Sequence, residues 1–196
     1  MHIYGITGPS GSGKSILSQY MTKNGVAHID ADRVYHELLV PPSHVLDALR
    51  EAFGNKILSP DGTLDRVALS VIVFNSTEKL ELLNKTVLHF VLEEIRSMIK
   101  ALEKDGFSAV AIDAPTLIES GFHKECDTVI SVLSPKQLRI ERIMERDGLS
   151  REKAVERTNA QKPDEFYEEH SDIILMNDGD VETFFERIST SLPELM

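Results

Sequence analysis

Near the start of the chain, residues 5–15 read GITGPSGSGKS, and this stretch restricts the fold more than any other. It fills the template G-x-x-x-x-G-K-[ST] with Gly8, Gly13, Lys14 and Ser15. Glycines let successive backbone N–H groups converge on one point, a nest for an anion. The helix start that follows adds unpaired N–H groups and the positive end of its dipole. Lys14 can then reach terminal phosphates as a point charge, and the Ser15 hydroxyl can hold Mg²⁺. This chemistry needs a strand before the loop and a helix after it. The apolar run Ile3, Tyr4, Ile6 predicts the strand, and residues 15–23 predict the helix. The stretch therefore reads as a phosphate-binding loop rather than a chance glycine turn.

Short β-rich runs alternate with longer helical ones along the rest of the chain, which points to an α/β fold with a parallel sheet. Five strands are expected, at 2–7, 26–30, 107–113, 127–133 and 171–176. All five are near-continuous apolar runs, as in strands covered on both faces. Between the second and third, residues 32–105 carry no strong strand signal. Their apolar residues recur at helical spacing, as at Leu80, Leu83, Val87, Val91 and Ile95. Turn-forming residues break this block at 41–43 (PPS), 53–56 (FGNK) and 59–62 (SPDG). A crossover between parallel strands needs one helix, so several imply an inserted helical lobe.

A chain of 196 residues can bury one sizeable core, and its net charge of −11 argues against a nucleic-acid backbone as partner. Its single cysteine, Cys126, excludes an intrachain disulfide and suits a reducing compartment. With neither a basic leader nor an apolar stretch near 18 residues, a soluble cytoplasmic protein with no membrane partner is expected. One block opposes the acidic balance. Residues 136–162 hold eight Lys or Arg against five acids. Arg139, Arg142 and Arg146 fall at i, i+3 and i+7, on one helical face. Such a segment, broken at Gly148, suits a lid that closes over phosphates. The plainer alternative is a solvated helix laced by pairs such as Arg142–Glu145.

Asp30 and Asp32 close the second strand and open the next helix, at the strand end where parallel sheets bind ligands. Two carboxylates there can divide labour, Asp30 orienting the metal's water shell and Asp32 accepting a proton from an attacking hydroxyl. The competing role for both Asp32 and Asp30 is a helix N-cap, although for Asp32 the capping-box partner at position 35 is Tyr35. Asp113, at the end of the third strand, is balanced between a Mg²⁺-water ligand and a turn cap. The seven histidines show no zinc-ligand spacing, and Cys126 reads as a small core residue.

Taken together, several segments resemble the dephospho-coenzyme A kinase family. They are GITGPSGSGKS, IDAD, FGNKILSPDGTLDRVALSVIVFN, LLNKTVLH, IDAPTLIESG, ERIMERDGLSREKA, RTNAQK and SDIILMNDGD. The resemblance implies a P-loop kinase core with a five-stranded parallel sheet, at 1–32 and 106–196. It also implies a helical substrate lobe at 33–105 and a lid at about 140–165. The implied reaction moves the γ-phosphoryl group of ATP to the ribose 3′-hydroxyl of dephospho-CoA. Carried over position by position, the nucleotide loop falls on Gly11, Ser12, Gly13, Lys14, Ser15 and Ile16, and the general base on Asp32. The lid arginines fall on Arg142 and Arg146 and a lid glutamine on Gln161, with Mg²⁺ expected on Ser15 and Asp30. His36 stands where the family often has arginine, which leaves open how the acceptor's phosphates are held. Rival readings are another small-molecule P-loop kinase, or a GTPase switch. For the latter, the guanine motif is incomplete at Asn84-Lys85-Thr86-Val87.

Overall fold

Five short strands make one sheet in the order β2-β3-β1-β4-β5. They are β1 (His2–Thr7), β2 (Ala27–Asp30), β3 (Ala109–Asp113), β4 (Thr128–Leu133) and β5 (Ile173–Met176). β1 pairs in parallel with β3 and with β4, and β4 in parallel with β5. The computed structural model describes residues 1–74 and 76–193. Asn75, which ends one of the stretches quoted above, and 194–196, the end of the expected core, lie outside the described residues. Among the described residues no helix is long and apolar enough to cross a membrane.

Helices occupy the connections. After the loop comes α1 (Lys14–Lys23), and after β2 come α2 (Ala31–Leu38), α3 (His44–Phe53), α4 (Arg66–Phe74) and α5 (Thr77–Lys104). Beyond β4 lie α6 (Lys136–Asp147), α7 (Arg151–Asn159) and α8 (Asp164–Glu168), and α9 (Val181–Ser191) follows β5. The chain divides into two units, Met1–Ile29 with everything from Leu102 onward, and Asp30–Ala101.

In the first unit one face of the sheet presents Tyr4, Ile6, Ala111, Ile130, Val132 and Leu175. Leu17 and Met21 of α1 and Phe184 and Ile188 of α9 pack against them, all buried. Each such side chain contributes roughly 1.5–3 kcal/mol on leaving water. On the other face, a Cβ at Gly5 would lie 2.6 Å from a Leu117 methyl and 2.8 Å from the Cys126 sulfur. The expectation that all five strands are covered on both faces fails at the edges. In β2, Ala27 and Ile29 are buried while His28 and Asp30 are exposed. In β5, Leu175 is buried while Ile174 and Met176 are exposed. These two strands are the edges of the sheet.

In the second unit Val45, Leu46 and Leu49 of α3, Leu69 and Val73 of α4, and Val87, Val91 and Ile95 of α5 are buried. Leu80 and Leu83, on the same helical spacing, are half-buried. Helix starts in this unit are capped by the side chain of the residue just before them. Ser43 accepts from the Leu46 N–H, and Asp65 accepts from the N–H groups of Val67 and Ala68.

Candidate active site

The loop between β1 and α1 is built as a bare cradle of backbone. Gly8, Gly11 and Gly13 all have positive φ, at 132°, 79° and 108°. At Gly11 a Cβ would lie 2.8 Å from the Arg139 carbonyl, and at Gly13 it would strike the Asn177 side-chain amide. Neither position admits another residue, on grounds of both handedness and space. Ser12 and Ile16 N–H groups bond back to Pro9 and Gly13 carbonyls. Those of Gly11, Gly13 and Ser15 have no partner among the described residues. They are the donors an anion would take up at a helix start. Lys14 folds over the loop, its Nζ donating to the Gly8 carbonyl at 2.8 Å and to Pro9 at 3.2 Å. Ser12 Oγ is buried without a partner among the described residues, and the Ser15 side chain is exposed.

Arg142 braces this cradle from behind. The expectation of a lid arginine displayed toward phosphates meets a half-buried guanidinium already engaged. It donates to the Gly11 carbonyl at 3.2 Å and the Ser134 hydroxyl at 3.0 Å. It also makes longer contacts, to the Ser12 carbonyl at 3.5 Å and to the Asn177 carbonyl and side-chain oxygen at 3.4 Å. Asn177 completes the brace, buried and donating from Nδ2 to the Ser12 carbonyl at 2.7 Å. Its placement immediately after β5 ties the loop to the far side of the sheet.

Arg146, one turn further along α6, stays exposed. Asp147 holds it at both oxygens, at 2.8 and 2.9 Å, and holds Arg157 of α7 at 2.7 Å. The Arg146 hydrogen bond keeps the Asp147 carboxyl below the usual carboxylate range. Arg146 also reaches the loop, donating to Ser10 Oγ at 3.3 Å. Gly148 ends α6 in the left-handed conformation, and α7 packs back on it through Ile140, Ile143 and Ala154. Arg139 does not share the exposed face expected from its spacing. It is buried, with Nη2 3.5 Å from Asp164 and with Nε and Nη1 unpartnered among the described residues. That contact is an ion pair without a hydrogen bond. Gln161 is half-buried, with its Oε1 also unpartnered.

Asp113 accepts from Ser18 of α1 at 3.0 Å, which joins the end of β3 to the helix behind the loop. No group of three or more His, Cys, Asp or Glu able to hold a metal exists among the described residues. Burial pushes the Cys126 thiol up to about 12, so it is protonated and unreactive at neutral pH.

The second unit carries the remaining expected site residues on α2. Asp30 is the N-cap of that helix, accepting from the Arg33 N–H at 3.1 Å. The capping role weighed for both aspartates therefore falls to Asp30, and Asp32 lies exposed in the first turn. His36, one turn on, accepts at Nδ1 from Arg66 of α4 at 2.9 Å.

The family model described as dephospho-CoA kinase matches residues 2–183. A dephospho-CoA kinase of Carboxydothermus hydrogenoformans is 37% identical over 190 residues, 97% of this chain and 92% of that protein. Among solved structures, a Thermus thermophilus protein superposes with a TM-score of 0.82 at 30% identity, covering 100% of this chain and 98% of that one. Dephospho-CoA kinase from Campylobacter jejuni gives 0.72 at 27% identity, with 98% and 96% covered.

Proposed function

The chain belongs to the dephospho-CoA kinase family, and from that premise we propose that it transfers the γ-phosphoryl group of ATP to the ribose 3′-hydroxyl of dephospho-CoA. The observation that carries the phosphate chemistry is the loop, with unpaired N–H groups at Gly11, Gly13 and Ser15 and the Lys14 ammonium folded over it. The cradle fits ATP phosphates, because its N–H groups at Gly11, Gly13 and Ser15 are donors without a partner among the described residues, grouped at a helix start. Lys14 exchanges two loop carbonyls for phosphoryl oxygens, a small movement for a flexible stem. Arg142 holds the Gly11 and Ser12 carbonyls, which keeps the neighbouring N–H groups aimed before substrate arrives. Arg146, tethered by Asp147 beside Ser10, supplies mobile positive charge as the phosphoryl group moves.

Asp32 accepts the proton of the 3′-hydroxyl as the new O–P bond forms and the bond from the γ-phosphorus to the bridging oxygen of ADP breaks. Its exposure in the first turn of α2, with the cap supplied by Asp30, supports that role. Mg²⁺ suits the hard oxygen donors at Ser15 and Asp30, and would supply charge neutralisation at the phosphates. With no three-ligand cluster among the described residues, most of its coordination must come from phosphate and water. A single cysteine, which excludes an intrachain disulfide, suits the cytoplasm as the proposed site of action.

The test is ADP release from ATP across dephospho-CoA, adenosine, nucleoside monophosphates and pantetheine derivatives. Dephospho-CoA should exceed the others in kcat/KM by orders of magnitude. Equal use of the panel would overturn the acceptor assignment while leaving the kinase chemistry intact.

A further inference from the structure

The helical unit contains four arginines, Arg33, Arg50, Arg66 and Arg96. Three of them are paired along their own helix with a carboxylate, Arg33 with Glu37, Arg50 with Asp47 and Arg96 with Glu93. Arg66 has no carboxylate partner among the described residues and instead donates across two helices to an imidazole nitrogen. The neighbouring acid, Asp65, is turned to the N–H groups of Val67 and Ala68. An exposed guanidinium fixed by a neutral acceptor keeps its full charge and most of its donors for an outside anion.

The same bond sets the imidazole. A guanidinium only donates, so Nδ1 of His36 must carry the lone pair and Nε2 the hydrogen. The Tyr35 ring, with centroids 5.3 Å apart, lies beside the imidazole. His36 thus offers an N–H next to the remaining N–H groups of Arg66. His36 and Asp32 stand at i and i+4 on α2, neighbours on one face about 6 Å apart along the axis.

We propose that His36 and Arg66 together form the subsite that grips the diphosphate of the acceptor. This rests on the reading of Asp32 as the base at the 3′-hydroxyl. In dephospho-CoA the diphosphate hangs from the 5′ carbon of the ribose, one sugar's width from that hydroxyl. One helical turn matches that span. An acceptor seated with its 3′-hydroxyl at Asp32 therefore brings its doubly charged linker to the pair, and an acceptor without the linker leaves the pair unused.

The experiment measures kcat/KM for dephospho-CoA and for adenosine, which lacks the diphosphate, in wild type, Arg66→Ala, His36→Ala and His36→Gln. Hydrogen bonds to charged groups of this kind predict that the dephospho-CoA to adenosine ratio falls on the order of tenfold to a hundredfold in each alanine variant. The loss should reside in KM rather than kcat. His36→Gln, which keeps an N–H at the outer position, should recover much of the loss. Should Arg66→Ala melt early, Arg66→Lys keeps the charge without the fork, and an intermediate fall in the ratio is expected. A ratio unchanged in both alanine variants, or equal losses on both acceptors, overturns the subsite. A wild type with no preference for dephospho-CoA defeats the acceptor assignment itself, whatever the variants do.

Discussion

Replacing Arg142 by alanine should unfold the phosphate loop before it harms anything else. The guanidinium makes two good hydrogen bonds, to Ser134 at 3.0 Å and Gly11 at 3.2 Å, plus contacts at 3.4–3.5 Å near the limit for such bonds. Bonds from a charged donor contribute about 1.5–3 kcal/mol each, and the side chain is only half-buried, so the sum is roughly 2–4 kcal/mol. In a chain of this size each kcal/mol moves the melting point about 2–4 °C, so a fall of roughly 5–15 °C is expected. Arg146→Ala is the control from the same helix. Its side chain is 56% exposed and its main partner, Asp147, lies at the surface, so melting should stay close to wild type while kcat drops. Thermal melts of the two variants, followed by steady-state kinetics, separate them. Arg142→Ala should also raise KM for ATP more than KM for the acceptor, because the Gly11 and Ser12 carbonyls lose their brace. Equal melting of the two variants would refute the bracing role, and so would an Arg142→Ala protein as stable as wild type.

Lys14→Ala should lower kcat by about 10²–10³-fold, the loss typical of a preorganised charge stabiliser, while circular dichroism stays native. Retained turnover would remove Lys14 from the chemistry. Gly13→Ala forces an L side chain to a φ of 108° and into the Asn177 amide, so stability should fall by about 1–3 kcal/mol and ATP binding, followed by titration, should weaken sharply. ATP affinity at the wild-type level would show that the loop tolerates a side chain there. Asp32→Asn should reduce kcat with dephospho-CoA by about 10²–10⁴-fold with nucleotide affinity intact, whereas Asp30→Ala should cost about 1 kcal/mol of stability as a lost cap. Near-normal turnover by Asp32→Asn would assign the proton to another acceptor.

The parts of the molecule legible in the sequence are those with short-range causes. The glycines and Lys14 of the loop, the five apolar strands, and the helical spacing of Val87, Val91 and Ile95 each follow from neighbours within a few residues. The capping of α2 by Asp30 rather than Asp32 turns on a boundary shift of two residues, finer than propensity resolves. The rest depends on partners far apart in the chain. Arg142 reads as one of three cationic residues on a helix, yet the carbonyls that engage it lie about 130 residues away at Gly11 and Ser12. Asp147 looks like part of a charge-laced surface and proves to join Arg146 to Arg157. Asn177 lies just past the last strand and proves to be a buried strut whose partner is 165 residues distant. The edge strand β5 is as apolar as the central ones, and only the strand order explains its exposed face, whereas β2 alternates apolar Ala27 and Ile29 with polar His28 and Asp30 in its own sequence.

The fate of the γ-phosphorus tests the proposed transfer most directly. The protein is incubated with γ-labelled ATP and dephospho-CoA, the products are separated, and the labelled position is identified by selective 3′-phosphate hydrolysis. One labelled CoA should form for each ADP released, with the label removed by cleavage at the ribose 3′ position. ADP accompanied by labelled inorganic phosphate, or label elsewhere on the acceptor, would contradict transfer to the 3′-hydroxyl.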